Sequence, residues 1–193
     1  MEQQVQQPTI IVAGKGGKYR WLAITALFLA IGTILRLVSP SVAGVSPNWT
    51  IAMYCLAMIL VRPSLGQAVG IGLVAGAIAL VTSKSPFPYG NLVSEVLGAV
   101  TACTLVKYNI GCKIGKLNLQ PAIIGLITTL FSGLTFVTLM KIVLGLPMQV
   151  YLYGMLPVVF TVAAVNTVVT QVLYFPAYKL FSAQLGISER EKK

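Results

Sequence analysis

The chain has 193 residues, of which 56% are hydrophobic and only 9% charged, and its formal net charge is +10. A soluble domain would hold about 25% charged residues, so this composition cannot clothe a water-exposed surface. Together with a mean hydropathy of +0.86, it assigns an all-α integral membrane protein.

The missing residue types narrow the chemistry further. There is no His and no Asp, and the acids are Glu2, Glu95, Glu189 and Glu191. No Ser-His-Asp triad, histidine zinc site or aspartate pair can be assembled from such a set. Cys55, Cys103 and Cys112 lack metal-ligand spacing and read as small apolar packing residues. No metal, cofactor or enzymatic reaction is expected.

Residues 1–20 form a polar tail that ends in Lys15, Lys18 and Arg20. Residues 21–38 are apolar and long enough to span a bilayer. Basic residues, an apolar run and then Ser41, Val42 and Ala43 imitate a cleavable signal peptide. The run exceeds a signal peptide's apolar core and further spans follow, so it reads as the first membrane helix. A short second stretch, 49–61, stops at Arg62 and Pro63, and a third covers 65–82. The loop 83–90 leads to a fourth, 91–106, and the basic loop 107–118 leads to a fifth, 121–144. The last covers 151–180, where Pro157 and Pro176 are expected to kink or end it. The reading is a six-transmembrane-helix bundle over 21–182, with a second tail at 183–193.

Six spans put both termini on one side. That side receives Lys15, Lys18, Arg20, Arg62, Lys107, Lys113, Lys116, Lys179, Arg190, Lys192 and Lys193, whereas the other receives Arg36, Lys84 and Lys141. Eleven against three predicts cytoplasmic N and C termini. Topology and contact with membrane lipid account for the net charge, and no nucleic-acid partner is needed. Small residues recur every fourth position at Ala26 and Ala30, Gly66 and Gly70, Gly72 and Gly76, and Gly125, Thr129 and Gly133. Such faces let helices approach closely, within the chain or, for the first helix, against a partner.

The outer side holds the candidate site. Arg36, Lys84 and Lys141 either reach for headgroups or serve a ligand, and Glu95 should pair with a cation or face a polar cavity. A structural bridge from Glu95 to Lys84 or Arg36 is one alternative. Asn48 and Trp49 begin the second helix, and Phe87, Tyr89 and Asn91 lead into the fourth. Gln149, Tyr151 and Tyr153 lead into the sixth, which also holds Asn166. An interfacial aromatic belt would explain the rings but not the amides or Glu95, so a ligand pocket is the better reading. Two decoys are set aside. Gly17 and Lys18 suggest a phosphate loop, but Val12 and Tyr19 break its pattern, and Asn48-Trp49-Thr50 fits a glycosylation acceptor at what reads as a helix start.

Over residues 15–185 the chain resembles a substrate-binding (S) component of an energy-coupling factor transporter. The likeness lies in the six spans, the basic character, the absence of an ATPase motif, and an Ala26-x3-Ala30 face like the one that docks on the coupling subunit. Phe87-Pro88-Tyr89-Gly90-Asn91 followed by Glu95 is similar to the tryptophan-transporter group of these components, although the Asn spacing differs and Asp is commoner at the acid. The resemblance implies a bacterial or archaeal multi-pass cell-membrane protein that captures a vitamin-like molecule or an amino acid from outside. Its partners would be a transmembrane coupling (T) subunit and two ATPase subunits, which topple it to release substrate inward. For an amino acid, Glu95 would face the ammonium, and Arg36, Lys84 or Lys141 the carboxylate. A self-sufficient homo-oligomeric transporter or channel with Glu95 as a proton or cation site is the competing reading. A lipid-modifying enzyme and a purely structural subunit fit the residues less well.

Overall fold

The computed structural model describes residues 19–39, 48–115 and 117–185. The tail segments 1–18 and 186–193 and the signal-like residues 41–43 lie outside the described residues. Six α-helices follow in order: α1 (Arg20–Val38), α2 (Trp49–Val61), α3 (Leu65–Thr82), α4 (Gly90–Lys107), α5 (Gln120–Leu144) and α6 (Leu156–Leu185). Each falls within a few residues of an apolar stretch read from the sequence. Among the described residues, four segments are long and apolar enough to cross a membrane, namely α1, α3, α5 and Val150–Phe181. The shorter α2 and the Glu95-bearing α4 complete an all-α membrane protein of six helices.

The 13-residue α2 is the centre of the bundle. Every side chain from Thr50 to Leu60 is buried, as expected for a helix that is apolar all round and walled in by others. It packs against α1, α4, α5 and α6. Ser64 starts α3 with a full capping box, its hydroxyl accepting from the Gln67 amide while Gln67 accepts from Ser64.

Close approach of α3 and α4 depends on two glycines. A Cβ on Gly72 would lie 2.6 Å from the Val96 Cα, and one on Gly76 would lie 2.9 Å from the Leu92 Cα. That stripe is therefore intramolecular packing, whereas Gly66 and Gly70 have open space beside them. Ala26 and Ala30 are likewise exposed along α1, beside Leu27 and Ile31.

Pro176 does not end the last helix, which continues past it to Leu185, and Pro157 is the second residue of α6 after a π-helical turn, Val150–Met155. Wider π-helical winding accommodates chain that regular α geometry cannot, and neighbouring helices can tolerate a proline inside a membrane segment. The stretch 107–118 is not plain loop either. It contains a small antiparallel hairpin, β1 (Lys113–Ile114) with β2 (Leu117–Asn118), turned at Gly115 with φ of 60°.

Candidate functional site

Helical spacing builds the site. On α4, Asn91, Ser94 and Glu95 are three and four residues apart and share one face, and all three are buried. On α5 the same spacing aligns Thr129, Ser132, Gly133, Phe136, Val137 and Met140. These two faces, with Val158 and Val159 of α6, the last turn of α1 and the start of α2, surround a cavity of about 510 Å³. That volume lies within the roughly 300–1,000 Å³ usual for small-molecule sites. Arg36, Asn48 and Glu95 supply its polar wall from α1, α2 and α4, and Lys84 lines it from the loop before α4. Most of the apolar wall comes from α5 and α6.

A chain of hydrogen bonds organises the polar wall. Arg36 Nη1 donates to Asn48 Oδ1 at 3.3 Å, and Asn48 Nδ2 donates to Glu95 Oε1 at 2.5 Å. The connection between the cation and the acid thus runs through an amide rather than through a direct bridge. Asn166 Nδ2 donates to the Asn48 carbonyl and to Thr129 Oγ1, both at 3.2 Å, which ties α6 to α2 and α5 below the cavity. Asn91 Nδ2 donates at 2.8 Å to the Pro88 carbonyl and holds the turn that leads into α4.

Glu95 is 1% exposed, and its second oxygen, Oε2, has no hydrogen-bond partner. A buried carboxylate is costly in so dry a setting, and a cationic group on a ligand in the adjoining cavity would offset that cost. Tyr54 of α2 places its buried hydroxyl against Gly98 and Ser132 and beside the Glu95 carboxylate. A carboxylate wall with two cations on the same cavity and an apolar wall opposite can hold a zwitterion that carries an apolar side chain.

The cavity gathers five of the residues singled out from sequence: Arg36, Asn48, Lys84, Asn91 and Glu95. Asn166 is fully buried beneath them as a support. Trp49 donates to Ser39 Oγ at 2.6 Å and pins the end of α1 to the start of α2. Phe87 packs beside Phe136 at Gly90. The Tyr151 hydroxyl meets Thr138 Oγ1 at 3.0 Å, away from the cavity lining. Tyr89 and Tyr153 are exposed by 65% and 80%, Gln149 is exposed, and Lys141 is half-buried off the lining. Sequence reasoning passed over Ser94, Ser132, Phe136 and Met140, although the α5 group repeats at helical spacing from Thr129, which had been noticed only for its small size.

The model of the family described as "Tryptophan transporter TrpP" matches residues 18–181. A probable tryptophan transport protein of Bacillus subtilis is 27% identical over 91% of this chain and 99% of its own length. A probable tryptophan transport protein of Clostridium perfringens is 32% identical over 79% of this chain and 88% of its own. Another from Clostridium acetobutylicum is 27% identical over 77% of this chain and 88% of its own. No solved structure matches. These are bacterial transport proteins rather than enzymes, and the apolar helices agree with a multi-pass protein of the cell membrane. The chain belongs to the tryptophan transporter TrpP family.

Proposed function

We propose that the protein is the substrate-capture subunit of an energy-coupling factor importer and that its cargo is tryptophan. The observation that carries this reading is the single cavity that Glu95, Arg36 and Lys84 line together. The ammonium of a bound amino acid meets Glu95, and its carboxylate meets Arg36 and Lys84. The indole lies against Phe136, Val137, Met140 and Val159, where an aromatic ring gains both apolar burial and edge contacts. The relatives named as probable tryptophan transport proteins support that choice of cargo.

Coupling is supported by the other half of the bundle. Exposed Ala26 and Ala30 on α1, with the open Gly66 and Gly70 on α3, offer low-relief helix faces on which a transmembrane coupling subunit can seat. The excess of Lys and Arg on the side of the termini supports a cytoplasmic placement for both, with the Glu95 cavity toward the outside. Two partner ATPases then drive release inward. Reconstitution in vesicles with and without the coupling subunit and ATPases tests the proposal. Uptake of labelled tryptophan should require both partners and ATP, and uptake by this chain alone would refute the capture role.

A further inference from the structure

A second hollow, of about 370 Å³, lies at the far end of α2 from the Glu95 cavity. Asn48 precedes the first residue of α2, and Arg62 follows its last, so the helix runs between the two hollows. Arg62, Asn109, Lys113, Gln120, Tyr174 and Tyr178 line it, from the ends of α2 and α4, the hairpin, the start of α5 and the second half of α6.

Its backbone is unusual. Arg62 with φ of 49° and Asn109 with φ of 55° are the non-glycine residues with positive φ among the described residues, and both line this hollow. Glycine is the ordinary occupant of a left-handed position at a helix end, because a Cβ is strained there. An arginine is strained at such a position, whereas Asn109 is a residue type that tolerates it. Arg62 Nη2 donates to Asn109 Oδ1 at 3.5 Å, and Gln120 Nε2 donates to the same oxygen at 3.3 Å, so Asn109 gathers two donors on one wall.

Among the described residues, the charged side chains that line the hollow are all cationic. Glu95 is the sole acid among the described residues, and it lies toward the other end of the bundle. Arg62 and Lys113 line the hollow, Lys107 ends α4 beside it, and the N-terminal end of the 25-residue α5 adds partial positive charge. The neighbouring Tyr108, Ile110 and Leu117 are exposed apolar or amphipathic side chains, suited to the level where headgroups meet acyl chains. Concave shape, clustered donors and an apolar margin together fit a lipid headgroup better than a flat protein surface.

We propose that this hollow binds the headgroup phosphate of an acidic phospholipid, with Arg62 and Lys113 as its cations. The site is separate from the Glu95 cavity and stands whether or not tryptophan is the cargo. The test uses the purified full chain in detergent, titrated with phosphatidylglycerol, phosphatidylcholine or inorganic phosphate, and read by native mass spectrometry and thermal unfolding. One phosphatidylglycerol should stay bound and raise the melting temperature by a few degrees, with about tenfold preference over phosphatidylcholine. Arg62→Gly relieves the left-handed strain and should fold at least as well, yet it should lose the bound lipid. Lys113→Gln, at an exposed position, should weaken it independently. Neither variant should change ligand binding at the Glu95 cavity. Equal retention of phosphatidylglycerol by both variants, or no preference over phosphatidylcholine, would overturn the proposal. The same thermal shift with inorganic phosphate alone would assign the hollow to a soluble anion and overturn the lipid assignment.

Discussion

Asn48 and Glu95, 47 positions apart in the chain, are joined by a side-chain hydrogen bond from Nδ2 to Oε1 that links the start of α2 to the first half of α4. Because Asn48 also accepts from Arg36, this one amide orients both the acid and the cation of the cavity. It occupies Oε1 of the acid.

Replacing Asn48 should therefore affect fold and site together. In Asn48→Ala, Arg36 and Glu95 both lose their shared partner, while the Asn166 contact survives because it reaches the Asn48 backbone carbonyl. Leaving buried polar groups unpaired costs about 1–3 kcal/mol. Thermal unfolding should show a lower melting temperature. A double-mutant cycle with Glu95→Gln should be non-additive, whereas strictly additive effects would deny the coupling.

Two glycine pairs on α3 should respond in opposite directions. Gly72→Val forces a side chain into the Val96 backbone, and overpacking of this kind costs about 1–3 kcal/mol. Gly70→Ala meets open space and should stabilise the helix by about 0.5–1 kcal/mol. Melting temperatures of the two variants in one detergent decide the matter, and equal effects would contradict the helix packing described.

The apolar wall should set selectivity for cargo. Phe136 is the aromatic side chain on the cavity lining, and Phe136→Ala removes the ring against which the proposed cargo's indole would pack. A loss of about 1.5 kcal/mol would weaken tryptophan binding roughly tenfold. Competition assays should show alanine affected far less. A uniform loss for both ligands would point to a structural role for Phe136 instead.

Helix limits were legible because apolar runs end where the chain must leave the membrane, as at Arg62-Pro63 after α2. Pro176 does not mark the end of α6, because a helix can continue through an internal proline. Within α4 the four-residue step from Asn91 to Glu95 puts both on one face, so their shared cavity could be read from spacing. Rotation of a helix about its own axis cannot be read from residue type alone. Tyr151 and Tyr153 illustrate this, since two residues apart on a helix they face different ways, and the structure turns both off the cavity lining. The bond from Asn48 to Glu95 was equally hidden, because it depends on how α2 and α4 are docked.

Calorimetric titration of tryptophan into the purified chain, without coupling subunit or ATPases, tests the central claim most directly. The account predicts one-to-one binding by this chain alone, weakened roughly 10- to 100-fold in Glu95→Gln through loss of a charged hydrogen bond worth about 1.5–3 kcal/mol. Unchanged affinity in a folded Glu95→Gln protein, or no binding of tryptophan by the wild-type chain, would contradict it.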